Sequence, residues 1–204
     1  MQVEVYMRGR SKLPVFVENA AEFLTTGNKK VTNKSVVIIS SVSGNTKEMV
    51  ELVDRVHEKG AKVFSFIDNP GTILTQPNKQ DYLIVYPMNE QLKFYMVANY
   101  LMYKNGEFDD YDRYTKEMEA NLADVLVQVE KDSDEWAYEY AHNKVAFWKE
   151  HKDLPHSFIE AGNQYGATYS YAMCYWEEQH WIRTKSITSG EFFHGMLEVV
   201  DRDT

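Results

Sequence analysis

The sequence predicts an α/β protein built on parallel β-sheets, in two units joined by a helical linker. Three observations carry that prediction. Runs of β-branched and apolar residues alternate with an amphipathic helical stretch over 35–86. The strand signal then vanishes between Glu90 and His151, where helical stretches dominate, and a second, shorter cycle of strand, loop and helix opens at His156. Strand, helix, strand in that order means a right-handed crossover and a parallel sheet.

Taken in order, Leu13–Val17 is a short apolar run that reads as a strand, and Ala20–Leu24 as a small helical turn. Ser35-Val-Val-Ile-Ile-Ser40 is apolar on both alternations, the mark of a strand buried on both faces. Ser41-Val-Ser-Gly-Asn-Thr46 is rich in turn and cap residues. A helix is expected from Lys47, with Met49, Leu52, Val53 and Val56 on one face and Gly60 as its stop. Lys62–Ile67 and Tyr82–Tyr86 read as further strands, separated by a turn at Asn69-Pro-Gly71. Helices are expected over Glu90–Tyr103, Tyr111–Lys131 and Asp134–Lys149, and Asp153-Leu-Pro155 ends them. His156–Glu160 is then a strand, Gly162–Gly166 a loop and Ala167–Trp181 a helix. The boundary between the units is placed at 133/134, giving 1–133 and 134–204.

Bulk properties narrow the function classes. A formal charge of −9 in 204 residues argues against a nucleic-acid surface, which needs clustered Lys and Arg. An anionic substrate would therefore need a local pocket of backbone N–H groups. The single cysteine, Cys174, excludes a disulfide framework within the chain. No apolar run approaches the ~20 residues of a membrane span, and the first residues lack the pattern of a signal peptide. A cytoplasmic protein with no nucleic-acid or membrane partner is expected. His57, His142, His151, His156 and His180 show no spacing of a metal site, and none is expected.

The sharpest local signal is Ser41-x-Ser43-Gly44-x-Thr46, between a buried strand and an amphipathic helix. Hydroxyls there, with Gly44 admitting close backbone approach, can surround a phosphate at a helix N-terminus, where free N–H groups and the dipole favour negative charge. Ser43 or Thr46 capping the helix is the plainer alternative. Three hydroxyls around one glycine exceed what capping needs, and the C-terminal edge of a parallel strand is where α/β ligands bind.

A second candidate pair lies near the C-terminal end. Glu178 sits on an aromatic-rich helix in Tyr175-Trp-Glu-Glu-Gln-His-Trp181, and His194 follows sixteen residues later in Gly190-Glu-Phe-Phe-His-Gly195. A carboxylate on an apolar helix suits general-base work, and a histidine between glycines on a short turn is open to a ligand. A solvated Glu178 and a His194 bonded to a nearby carbonyl explain the same residues.

Ser40-Ser-Val-Ser-Gly-Asn-Thr46 followed by Glu48 resembles the S-x-S-G-x-T phosphate loop of sugar isomerase (SIS) domains, as do Glu58–Phe64 and Asn69-Pro-Gly-Thr-Ile-Leu74. The resemblance implies that Ser41, Ser43 and Thr46 hold the phosphate of a sugar phosphate, with Gly44 as the backbone requirement. It implies SIS-type units, each a parallel sheet flanked by helices in a flavodoxin-like sandwich. Ser189-Gly-Glu-Phe-Phe-His-Gly-Met-Leu-Glu-Val-Val200 resembles the S-G-E-F-x-H-G-P-L-E-I-V segment of the fructosamine-6-phosphate deglycase branch. It is similar, more loosely, to the isomerase domain of glucosamine-6-phosphate synthase. In both, a catalytic glutamate stands sixteen residues before the histidine, which selects Glu178 over Glu177. Met196 stands where that family has proline.

What the resemblance implies is a hydrolytic deglycase. It would convert a fructosamine 6-phosphate, an Amadori adduct, to glucose 6-phosphate and a free amine. No cofactor is implied, and a homodimer with the active site near the subunit interface is. A ketose–aldose sugar-phosphate isomerase would use the same base and loop, and a non-catalytic sugar-phosphate sensor would use the loop alone. The family's opening strand and glycine–serine loop are expected before residue 1 and its later strands after Thr204, so the chain reads as truncated at both ends. Alone, it is expected to be inactive and aggregation-prone, with unpaired edges at Val36–Ile39 and Phe158–Glu160 or a partner on them from outside the chain.

Overall fold

The computed structural model describes residues 1–87 and 90–200. In chain order it comprises α1 (Gln2–Arg8), α2 (Ala20–Thr26), β1 (Val36–Ser41), α3 (Lys47–Glu58), β2 (Lys62–Ile67), β3 (Tyr82–Val85), α4 (Glu90–Lys104) and α5 (Tyr111–His151). There follow β4 (His156–Glu160), α6 (Tyr165–Ser170) running on into a π-helical segment at Tyr171–Glu177, β5 (Thr184–Thr188) and α7 (Ser189–His194). Contacts divide these into two compact units, one formed by Pro14–Ala98 and one by Met1–Leu13 with the chain from Asn99 onward.

In the Pro14–Ala98 unit, β1, β2 and β3 form one parallel sheet with β2 in the middle. Val36 pairs with Lys62 through to Ser41 with Ile67, and Phe64 with Tyr82 through to Ile67 with Val85. Successive strand residues face opposite ways, so β2 has two different faces. Val63 and Ile67 join Leu52, Val53 and Val56 of α3 and Phe23 of α2 in one buried cluster. Phe66, on the other face, meets Phe94 of α4 edge-on at 6.1 Å. Burying an aliphatic side chain of this kind is worth about 1.5–3 kcal/mol.

The α3 pattern folds as its spacing demands, and its end is tightly specified. Gly60 adopts φ +73°. Its N–H donates to His57 O at 2.8 Å, and Ala61 N–H donates to Val56 O at 3.2 Å. That is a Schellman cap, a conformation glycine adopts without strain.

Four expectations need correction. Strand β1 is not buried throughout: Val36 is exposed and only Ile39 and Ser41 are buried, because β1 lies at the edge of its sheet among the described strands. Leu13–Val17 forms no strand; Pro14 has no N–H to give a ladder, and Val15, Phe16 and Val17 remain exposed. The expected break between Tyr111–Lys131 and Asp134–Lys149 does not occur, because no glycine or proline lies between Gly106 and Pro155 and Gln128 bonds Asp132 one turn on at 2.6 Å. Helix α5 is therefore one piece of 41 residues with none buried, about 60 Å long, and it runs through the 133/134 boundary. The Ala167–Trp181 helix is not uniformly α: Glu178 N–H reaches back five residues to Met173 O at 3.0 Å.

In the unit that begins with α1, β4 and β5 form a separate parallel pair, from His156 opposite Thr184 to Glu160 opposite Thr188. Trp176 packs on His156 at 4.9 Å and Phe158 at 5.2 Å, which fixes the π-helical segment against β4. Among the described strands β1 pairs only with β2, and β4 only with β5, so the outer edge of each is open. No described helix is long and apolar enough to cross a membrane.

Candidate functional site

The candidate residues gather in two places, one in each compact unit. The first is the loop between β1 and α3. Ser41 is buried, and its Oγ accepts the Gly44 N–H at 3.0 Å, so it holds the loop's shape from within. Gly44 has φ +64°, and a Cβ there would stand 2.1 Å from Thr72 Oγ1 and 2.9 Å from Ile67 Cγ2. Both the backbone conformation and the packing therefore demand glycine.

The Ser43 and Thr46 hydroxyls converge 3.2 Å apart on the exposed side. Thr46 occupies the N-cap position of α3, yet its side chain makes no capping bond. Ser43 Oγ accepts the Asn45 N–H, before the helix begins, at 3.3 Å. Among the described residues the first N–H groups of α3 are therefore without a side-chain acceptor, beside two outward hydroxyls, and the helix dipole adds positive potential there. An anion with several acceptor oxygens suits this arrangement.

The loop is clamped by residues of its own motif and of the Asn69–Leu74 segment, to which the sequence assigned no role. Asn45 Oδ1 accepts Ile73 N–H at 2.9 Å, and Asn69 Nδ2 donates to Val42 O at 2.8 Å. Leu74 N–H donates to Gly44 O at 3.0 Å and Asp68 N–H to Ser41 O at 3.2 Å. The Asn69-Pro-Gly71 turn was the available signal, since it returns the chain beside the loop. Asp68 in turn is bonded at 2.5 Å to the buried ammonium of Lys93, a pairing across 25 residues that no motif announces.

The second place holds Glu178 and His194. Glu177 and Glu178 are adjacent but differently engaged. Glu177 Oε1 accepts from Thr184 Oγ1 at 2.6 Å and from Thr184 N–H at 3.2 Å. The exposed Glu178 carboxylate has no hydrogen-bond partner among the described residues. It follows the π-helical segment directly, and such segments are rare and often mark functional sites.

The turn then closes through Trp181, at φ +56° and 88% exposed. Trp181 N–H donates to Glu177 O and Ile182 N–H to Trp176 O, both at 3.0 Å. These bonds resemble a Schellman cap widened by one residue, with tryptophan where glycine is usual.

His194 lies on the last turn of α7, with Gly195 just past the helix end. Thr188 starts that helix as its N-cap: its hydroxyl accepts Glu191 N–H at 3.4 Å and donates to the Glu191 carboxylate at 3.2 Å. His194 is exposed, and no hydrogen bond or ion pair joins it to Glu178 among the described residues. Nor do three or more His, Cys, Asp or Glu side chains cluster to hold a metal among those residues.

Comparison with known proteins adds a family. A model of the SIS domain matches residues 2–104, just over half of the chain. The chain belongs to the SIS domain family. This SIS chain is 28% identical over 186 residues to the fructosamine deglycase FrlB of Bacillus subtilis (strain 168), an alignment covering 90% of the chain and 56% of the deglycase. It therefore spans little more than half of that relative's length. It superimposes with a TM-score of 0.83 and 26% identity on a candidate phosphosugar isomerase from Salmonella typhimurium LT2, covering 98% of this chain and 61% of that one. It matches the C-terminal domain of glucosamine-fructose-6-phosphate aminotransferase from Francisella tularensis in fold, with a TM-score of 0.72 at 18% identity and coverage of 100% and 58%. A mixed α/β fold with parallel sheets is what this SIS chain shares with these two solved structures.

Proposed function

We propose that this chain works in a deglycase that splits a fructosamine 6-phosphate into glucose 6-phosphate and a free amine or amino acid. The observation that carries the reading is the pair of outward hydroxyls, Ser43 and Thr46, 3.2 Å apart at a helix start with no side-chain cap. The deglycase identity draws further support from the similarity to the Bacillus subtilis enzyme.

In this reading Ser43 and Thr46 grip the 6-phosphate on a loop that Ser41 and Gly44 shape from within, and His194 helps open the sugar ring. Glu178 removes a proton from C1 to give an enaminol, using a carboxylate that no neighbour ties up, unlike Glu177. Reprotonation at C2 leaves a Schiff base at C1, and water adds there to release the amine. The substrate's own nitrogen carries the electronic chemistry, so no cofactor enters. Residues 1–133 act as a first SIS-type unit supplying the phosphate grip, and 134–204 as part of a second supplying proton transfer. The working form is a cytoplasmic homodimer with its site near the subunit interface.

A ketose–aldose isomerase is the second reading, favoured by the likeness to the Salmonella protein. The deciding experiment incubates the protein in its native assembly with a fructosamine 6-phosphate and, separately, with ketose 6-phosphates. Release of amine and glucose 6-phosphate in equal amounts supports the deglycase. Aldose formation from the ketose phosphates with no amine release supports the isomerase.

A further inference from the structure

Lys93 is the largest side chain that the fold buries completely among the described residues, with 1% of its surface exposed. Its ammonium lies 2.5 Å from Asp68 Oδ1 and 5.9 Å from the centre of the Phe66 ring. Removing such a pair from water costs several kcal/mol per ion, and apolar replacements of similar volume often give a core as stable or more so. Core packing alone therefore does not call for a lysine here.

The position of Asp68 supplies a reason. It is the first residue past β2, at the end of the sheet that carries the loop. Its N–H donates to Ser41 O at 3.2 Å. The next side chain, Asn69, bonds Val42 O at 2.8 Å, and Ile73 and Leu74 close on Asn45 and Gly44. The segment that begins with Asp68 is thus the wall against which the loop is built. An unbalanced carboxylate in that wall would repel a dianion held at the loop.

We infer that Lys93 is a positioning residue for anion binding, neutralising Asp68 so that the loop beside it accepts a doubly charged phosphate. Lys93 acts through Asp68 and does not touch the ligand. The ion pair also holds the end of β2 against α4 with a directionality that an apolar contact lacks. The inference rests on the reading of the 41–46 loop as the phosphate site.

The test uses inorganic sulfate, a dianion throughout the neutral range, titrated calorimetrically into the full chain at a temperature where circular dichroism shows each variant folded. Wild type is expected to bind sulfate saturably, and Ser43→Ala to weaken it. Lys93→Met is expected to bind about tenfold more weakly. Asp68→Asn should lose stability as Lys93→Met does, yet bind sulfate at least as tightly as wild type. The double variant should return to within about twofold of wild type. A purely structural pair would make both single variants weaken binding together, and that result overturns the inference, as does unchanged binding in Lys93→Met. Should Lys93→Met not fold, Asp68→Asn is compared with the double variant: tighter binding by Asp68→Asn supports the inference and equal or weaker binding overturns it. Sulfate binding indifferent to Ser43→Ala would instead refute the loop reading itself, and this inference with it.

Discussion

The Ser43 and Thr46 hydroxyls stand 3.2 Å apart at the head of α3, and neither is consumed in capping it. Ser43→Ala is therefore expected to weaken sugar-phosphate binding by about 1–3 kcal/mol, the worth of a charge-assisted hydrogen bond. The melting temperature should barely move. Calorimetric titration with glucose 6-phosphate checks this, and a lowered melting temperature with unchanged affinity would make Ser43 a structural residue.

Gly44→Ala should be more damaging. The added methyl would meet Thr72 Oγ1 at 2.1 Å in a backbone conformation of φ +64°. Loss of more than about 2 kcal/mol of stability is expected in denaturant unfolding, together with loss of phosphate binding. An alanine variant that unfolds at the wild-type midpoint would show that the loop yields easily.

Glu177 and Glu178 should separate cleanly. Glu178→Gln keeps the shape and removes the proton acceptor, so kcat is expected to fall at least ~10²-fold while substrate still binds. Glu177→Gln weakens the bonds to Thr184, and about 1 kcal/mol of stability should go with little change in kcat. Steady-state kinetics beside thermal melts on both variants decide it; equal kinetic losses would mean the choice between the two carboxylates is wrong.

The acid limb of stability should report Asp81. Its carboxyl is held below the usual range, first by the hydrogen bond from Lys62 at 2.6 Å and then by Val63 N–H at 2.8 Å. A carboxyl whose pKa is lower folded than unfolded adds stability above its unfolded pKa, about 3.9, and loses it as pH falls through the folded value. Asp81→Asn should therefore cost less than about 1 kcal/mol at neutral pH. Its melting temperature should also fall less steeply than that of wild type below about pH 4. Parallel acid limbs would show that Asp81 is not the group responsible.

Much of the first sheet was legible because each signal was local. Val36–Ile39 is β-branched throughout, the α3 face recurs at helical spacing, and Gly60 closes that helix in the conformation glycine favours. The loop was legible for the same reason. The continuity of α5 was not, since Asp132-Ser-Asp134 looks like a cap but nothing there interrupts the backbone. A π-helical turn differs from an α turn by one residue of hydrogen-bond reach, too little for seven residues of periodicity to reveal. Helix α1 is a stretch of only seven residues, and the burial of Met7 is what distinguishes it. The Lys93–Asp68 pair joins α4 to the end of β2, so it exists only once the crossover has formed. Glu178 and His194 were reached through resemblance, and the local geometry adds only that Glu178 is unengaged.

In the proposed reaction the 41–46 loop holds the phosphate of a sugar phosphate. The most direct test is a titration of the isotope-labelled chain with glucose 6-phosphate, followed through the backbone amide resonances of 43–49. Saturable shifts at Gly44 and the first turn of α3, reversed by inorganic phosphate and absent with unphosphorylated glucose, are expected. Shifts of equal size with plain glucose, or none at all in 43–49, would contradict it.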